Sequence, residues 1–279
     1  MVRLCKVMKV SESGYYKAQR PKKSTDNGRE VLLAQIYEIL HEDLENSNYG
    51  VERIHLALKT RNGYTGSYST VRRACAQAGL LLKPKKGPKG ITHADPEAQK
   101  EENLIQQDFG ASAPNDKWLS DITEIPCEDG KLYMAGVLDC FDGQLVGYNL
   151  ADHMRAELCV EAFELACRRH QARGMVFHSD RGSQYTSQVF RSALTTHGAQ
   201  QSMSGTGRCF DNARMESFWA TLKKEKLYRL DTAKMKRTAV KSVIIRYIFY
   251  YNQRRIYTPN DGYPPEVFRR LYEERQLAA

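Results

Sequence analysis

Apolar positions change their period along this chain, and the change divides it. Between Glu30 and Leu44, the residues Val31, Ala34, Ile36, Leu40 and Leu44 recur at roughly helical spacing. Tyr49-Gly50 opens a second helix with Ile54 and Leu58 four apart, stopped at Asn62-Gly63. A third is predicted from Ser69, read as its cap, to Gly79, read as its stop. From about residue 115 the period shortens to that of strands, over Lys117–Ile125, Lys131–Leu138 and Gln144–Leu150. Glu128-Asp129-Gly130 and Asp142-Gly143 separate them, as in antiparallel hairpins. A helix follows over Ala156–His170, with Leu158, Ala162, Leu165 and Ala166 as its stripe. Then come a short buried strand Met175–His178, a helix Gln188–His197, a strand Ala199–Met203 and a helix bearing Glu216. Met235, Ala239, Val243, Tyr247 and Tyr251 predict one long helix over Thr232–Arg254, and Pro265–Arg275 a short last one.

Three strands, helix, strand, helix, strand, helix is the order of an RNase H-like α/β core, a mixed five-stranded sheet with flanking helices. The predicted organisation is a helical, helix-turn-helix-like DNA-binding region over 1–82, a basic linker and connecting segment over 83–112, the catalytic core over 113–229, and a C-terminal helical extension over 230–279. Arg72 and Arg73 on the third helix are candidate DNA contacts, against the alternative of a helical adaptor with solvent-facing arginines. Lys83-Pro84-Lys85-Lys86-Gly87-Pro88-Lys89-Gly90 carries too much Pro and Gly for a regular element, and Lys85 and Lys86 are further candidates. The aromatic cluster Tyr247, Phe249, Tyr250 and Tyr251 reads as core or interface, not as a base-stacking platform.

Charge sharpens this division. The net charge of +9 is spread unevenly. Residues 1–100 hold 18 Lys and Arg against 10 Asp and Glu, residues 101–210 hold 9 against 15, and residues 211–279 hold 15 against 8. Basic flanks around an acidic centre suit arms that hold a polyanion over a metal-binding core; a merely solvated basic surface is the alternative. The 7 cysteines are odd in number and include no Cys-x-x-Cys, which argues against a disulfide framework or a zinc site. With no apolar run of about 18 residues and no signal-like N-terminus, the expectation is a cytoplasmic, nucleoid-associated protein with no membrane partner.

Three acids stand in the most telling contexts: Asp121 inside a β-rich run, Asp180 at the end of an apolar strand, and Glu216 on an amphipathic helix. Met215, Phe218, Trp219 and Leu222 fix that helix's buried face and set Glu216 beside it, near Asn212 and Lys223. Asp211 is the expected cap of the helix. Each acid alone reads better as a structural residue than as a ligand. Jointly, convergent carboxylates raise one another's pKa unless a cation sits among them. Oxygen-only donors suit Mg²⁺, with Mn²⁺ as substitute, over zinc, and two such ions suit phosphodiester chemistry. Asp139 and Asp142 are rivals for the second acid, although turn chemistry accounts for Asp142. His178 reads as a supporting or packing residue.

The strings Trp118-Leu119-Ser120-Asp121-Ile122-Thr123, His178-Ser179-Asp180-Arg181-Gly182-Ser183-Gln184-Tyr185 and Asp211-Asn212-Ala213-Arg214-Met215-Glu216-Ser217-Phe218-Trp219 resemble the DDE signature of insertion-sequence transposases of the IS-three family, in their second reading-frame product. Ser13-Gly14-Tyr15-Tyr16, Tyr49-Gly50-Val51-Glu52-Arg53-Ile54 and Ser69-Thr70-Val71-Arg72-Arg73 resemble the family's N-terminal region, and Tyr250-Tyr251-Asn252-Gln253-Arg254-Arg255 its C-terminal region. Departures are Gly205-Thr206 in place of a basic pair, and Tyr257 and Asn260-Asp261 in place of a His and a Leu-Gly.

The resemblance implies a retroviral-integrase-like core, Mg²⁺-dependent cleavage and joining of DNA at element ends, and Asp121, Asp180 and Glu216 as catalytic, metal-binding acids. Asn212, Lys223 and Lys224 are expected to touch DNA. The implied partners are double-stranded DNA at transposon ends and target, further copies of the chain, and the upstream reading-frame product, with which the family makes a longer frameshifted fusion. An RNase H-like nuclease without strand transfer, and a non-catalytic DNA-binding regulator, are the alternative functions.

Overall fold

In the computed structural model, residues 25–82, 103–205 and 209–278 are described, and they fall into two compact units, 1–82 and 83–279. Lys85, Lys86 and Ser13-Gly14-Tyr15-Tyr16 lie outside the described residues.

The first unit holds helices α1 (Thr25–His41), α2 (Val51–Asn62) and α3 (Tyr68–Gln77). Its core is built from Leu32, Ile36 and Ile39 of α1, Ile54, Ala57 and Leu58 of α2, and Val71, Ala74 and Cys75 of α3. The buried stripe of α1 is therefore offset from the expected one: Val31 is 54% exposed and Leu44 91%. Leu44 lies outside α1, in a 3₁₀ turn over Leu44–Asn48 that Asp43 caps. Gly63 ends α2 with φ 62°, the left-handed turn that a residue with Cβ resists. The cap of α3 is Ser67, whose hydroxyl accepts from the Thr70 amide at 3.3 Å, not Ser69.

The second unit is organised by five strands: β1 (Lys117–Cys127), β2 (Gly130–Asp139), β3 (Leu145–Ala151), β4 (Val176–Ser179) and β5 (Gln200–Met203). Their order is β3-β2-β1-β4-β5. The pairs β1·β2 and β2·β3 are antiparallel; β1·β4 and β4·β5 are parallel. Interleaved are α4 (Ala156–Cys167), the single turn α5 (Ser183–Thr186) and α6 (Gln188–His197); then follow α7 (Ala213–Glu225), α8 (Arg237–Gln253) and α9 (Pro265–Leu277). Trp118, Ala135, Val137 and Phe177 from the sheet meet Leu158, Phe163, Tyr185, Phe190 and Leu194 in one apolar cluster. Each such large side chain contributes roughly 1.5–3 kcal/mol by leaving water. The opposite face, bearing Asp121, receives α7.

The long helix expected over Thr232–Arg254 is broken. A 3₁₀ turn covers Thr232–Lys234 and α8 begins at Arg237. The break is used by the β1–β2 turn: Glu128 donates its amide to the Met235 carbonyl at 2.9 Å, and Asp129 accepts from the Arg237 amide at 2.8 Å. Within α8, Tyr247, Tyr250 and Tyr251 are buried, as a core reading requires, while Phe249 is exposed.

Three buried ion pairs, made by two arginines, fasten the C-terminal helices. Arg255 meets Glu225 through both Nε and Nη2 at 2.9 Å, and the Tyr247 hydroxyl donates to the same carboxylate at 2.7 Å. Arg269 of α9 reaches Asp142 and Asp139, each at 2.6 Å.

Candidate active site

Asp121 occupies the middle of β1, the central strand, and its Cα partner on β2 is Gly136. The parallel register of β1 and β4 pairs Leu119 with His178. Continued by two residues, it sets Asp121 level with Asp180, the residue after β4. Asp180 Oδ1 accepts the Gly182 amide at 3.0 Å. A Cβ on Gly182 would stand 3.0 Å from that same oxygen, so glycine lets the backbone turn tightly against the carboxylate.

Glu216 comes from α7, in its first turn, where the helix dipole favours a carboxylate. Met215, Phe218, Trp219 and Leu222 are all buried, and Glu216 is exposed beside them. Three contacts hold this helix to the sheet. The first is a close approach at Gly136, where a Cβ would meet Met215 Cε at 2.7 Å and Trp219 Cη2 at 3.1 Å. The second is a hydrogen bond from Trp219 Nε1 to Asp121 Oδ2 at 3.0 Å, and the third one from Asn212 Nδ2 to the Ser120 carbonyl at 3.1 Å. Arg214, on the same helix, donates to the carbonyls of Phe109 and Cys140.

The electrostatics tie the acids together. Burial pushes the Asp121 carboxyl up to about 7, the charge of Asp180 adds to this, and Glu216 adds further; the Ile122 amide and the Trp219 indole oppose the shift. Burial also raises Asp180, against the Gly182 amide. Lys223 is half-buried; burial lowers its pKa and the Asp121 charge resists. Among the described residues, no three His, Cys, Asp or Glu side chains form a ready-made ion cage. Asp121 lies within the fields of the other two acids without an assembled cage.

Two expectations are corrected, those for Asp211 and Asn212, and the other polar residues near the site are accounted for. Asp211 does not cap α7: its Oδ2 accepts from Asn103 at 2.8 Å and from the Gly205 amide at 2.9 Å, and the residue before α7 makes no side-chain cap. Asn212 is buried on β1 instead of facing outward as a DNA contact. The rivals Asp139 and Asp142 are both taken by Arg269, and burial still pushes Asp142 up to about 6 against the pull of that guanidinium. His178 is fully buried between the Ser202 and Ser204 hydroxyls, at 2.8 and 3.1 Å, and burial lowers it to about 4, a packing residue beneath Asp180.

Lys224 is exposed on α7, as are Arg72 and Arg73 on α3. Gly136, Arg214 and the polar edge of Trp219 went unread in the sequence. Trp219 registers there only as one member of an apolar stripe, although an indole N–H three residues past Glu216 is the signal that marks it. Among the described residues, no helix is long and apolar enough to cross a membrane. The cysteines whose side chains are described are free thiols.

Residues 28–87 match the family model of an HTH-like domain, and residues 111–209 and 197–259 match two models of an integrase core domain. The transposase for insertion sequence element IS904 of Lactococcus lactis is 36% identical over 248 residues, covering 86% of this chain and 94% of that protein. The transposase InsF for insertion sequence IS3A of Escherichia coli is 31% identical over 284 residues, covering 99% and 94%. The 31 kDa protein of insertion element IS600 from Shigella sonnei is 33% identical over 280 residues, covering 99% and 100%.

Proposed function

We propose, for a chain that belongs to the IS3 family of insertion-sequence transposases, that Asp121, Asp180 and Glu216 are the acids on which its chemistry turns. The family's enzymes are DDE-type polynucleotidyl transferases: they cleave DNA at element ends and join the cut strand to a target. The observation that carries the assignment is the placement of the acids: Asp121 on β1 and Asp180 just past the parallel β4, with Glu216 on the helix whose Trp219 bonds Asp121; burial and the charges of Asp180 and Glu216 also push Asp121 up to about 7. A divalent cation relieves all three acids at once.

The donor set fits such an ion. Three carboxylates offer oxygen alone, as Mg²⁺ or Mn²⁺ prefers, and the fully buried His178, bonded to two serines, is not a rival ligand. In this reading Asp121, Asp180 and Glu216 hold two ions, which when bound activate the attacking hydroxyl and stabilise the leaving oxygen. The protein's own part is positional. β1 and β4 bring two acids level, α7 brings the third across Gly136, and Lys223 and Lys224 lie on the same helix to meet phosphates. Residues 1–82, with Arg72 and Arg73, grip the DNA with Lys85 and Lys86 of the following linker; 113–229 carry the chemistry and 230–279 buttress it. Further copies of the chain, and the upstream reading-frame product, assemble with it on DNA in the bacterial cytoplasm.

The test is a Mg²⁺-dependent assay on labelled element ends with Asp121→Asn, Asp180→Asn and Glu216→Gln. Loss of both cleavage and joining, with DNA binding kept, is the expected result. Near-normal joining by any folded variant removes that residue from the set. Cleavage without joining by the parent protein favours the nuclease alternative, and binding alone the regulator.

A further inference from the structure

We infer that Trp219 is a positioning residue for Asp121, its indole N–H fixing the carboxylate so that the site is set before an ion arrives. The inference rests on the metal-binding role proposed above and goes beyond it, since it concerns a residue outside the acid set.

The geometry is specific. Trp219 stands three residues past Glu216, one helical turn along α7, and its Nε1 donates to Asp121 Oδ2 at 3.0 Å. The indole is 5% exposed, so little water reaches the donor side of this bond. Its ring lies against Phe218, with centroids 5.1 Å apart, and Phe218 lies against Tyr251 at 5.0 Å. Gly136 is open to the indole edge, with Trp219 Cη2 only 3.1 Å from where a Cβ would stand. Packing on two sides therefore aims the N–H.

Seven residues earlier, Asn212 grips the Ser120 carbonyl, the neighbouring position of β1. Residues 120 and 121 are thus held by the two ends of one helical segment, with Glu216 between them. The consequence is a coupling: a shift of the helix backbone at Glu216 away from β1 strains the Asp121–Trp219 bond and the Ser120–Asn212 bond. A hydrogen bond that orients a ligating carboxylate typically changes metal affinity or activity by about 10–100-fold when removed.

Two observations besides activity test this. The chain contains 2 tryptophans, and the other, Trp118, donates its indole N–H to Asp139. In the full chain labelled with ¹⁵N-tryptophan, the two indole resonances are followed while Mg²⁺ alone is added. The Trp219 resonance, identified by its loss in Trp219→Phe, is expected to shift, the Trp118 resonance to stay, and Asp121→Asn to abolish the shift. In parallel, the Mg²⁺ concentration at half-maximal thermal stabilisation is measured. Trp219→Phe should raise it about 10-fold or more, while Phe218→Leu, a loss of packing in the same layer without a polar atom, should leave it within about twofold.

A stationary Trp219 resonance while the acids still bind Mg²⁺, or equal midpoints in Trp219→Phe and the parent, overturns the inference. If Trp219→Phe fails to fold, the resonance is identified in Trp118→Phe and the titration of the parent protein decides alone. Failure of the underlying reading looks different: Asp121→Asn and Asp180→Asn would then keep Mg²⁺-dependent stabilisation and joining.

Discussion

Two pairs of acids in the same sheet have opposite fates. Asp139 and Asp142 stand at and just beyond the end of β2, and Arg269 spans both at 2.6 Å. Around them the accounting is nearly complete: Asp139 also accepts from the Asn115 and Phe141 amides and the Trp118 indole, and Asp142 from the Gln144 amide. Asp121 lies on β1 and Asp180 just past the end of the neighbouring β4, and among the described residues neither is paired with an arginine. They receive one indole N–H and a few backbone amides. Burial raises Asp121 and Asp142 alike, so burial does not tell the two pairs apart. The difference is what each carboxylate is left wanting. A buried acid with its cation built in is architecture; one held among other acids without one is poised for a cation from outside.

The largest effect should come from the unpaired acids. Asp121→Asn or Asp180→Asn is expected to take cleavage and joining below detection while the variant keeps its fold and its DNA affinity, measured together on one preparation. Should either variant lose its fold before its activity, the contrast with the Arg269 cluster disappears.

At the paired acids the order reverses, and stability is what fails. Arg269→Met strands two buried carboxylates, at a cost of about 3–5 kcal/mol. Urea unfolding is expected to show that loss, with activity recovering in proportion to the folded fraction. A folded, fully stable but inactive Arg269→Met would place this cluster in the chemistry instead.

His170 sharpens the contrast further, because its Nδ1 lies 2.9 Å from Arg269 Nη1. Burial, then Arg269 and Arg169, lower its pKa to about 4, below the unfolded value. A folded pKa depressed in a histidine means the unfolded chain binds the extra proton first. Stability is therefore complete above about pH 6.5 and falls as the pH drops toward 4, by about 1 kcal/mol between pH 7 and pH 5 after discounting for solvent screening. His170→Gln should flatten that slope in urea titrations at the two pH values; an unchanged slope assigns the acid sensitivity elsewhere.

The smallest effect concerns Asp121 again, now without metal. Its negative charge is held near two others, so in chelator Asp121→Asn should melt slightly above the parent, by about 2–4 °C for roughly 1 kcal/mol. The same exchange at Asp142 should lower the melting point.

Legibility in the sequence followed the range of the interactions. The succession of strands and helices could be read because period, turn residues and amphipathic stripe are local signals. The α1 stripe was misplaced because Val31 and Leu32 both suit an apolar face, and only the packing of α2 and α3 selects Leu32. Ser67 and Ser69 are both competent caps, and the turn geometry chooses the first. The break before α8 depends on the β1–β2 turn more than a hundred residues earlier. Arg269 lies 127 residues from Asp142, and nothing in the local pattern of either residue announces the other.

That distance also has a meaning in time. The sheet with Asp139 and Asp142 leaves the ribosome before α9, and a domain folds as a unit only when its parts are present. Until α9 docks, Asp139 and Asp142 lack Arg269, the guanidinium that spans them. A chain without α9 would keep Asp121, Asp180 and Glu216 but lack Arg269, the countercharge of Asp139 and Asp142. Docking of α9 thereby couples the stability of the sheet to a helix more than a hundred residues further along the chain.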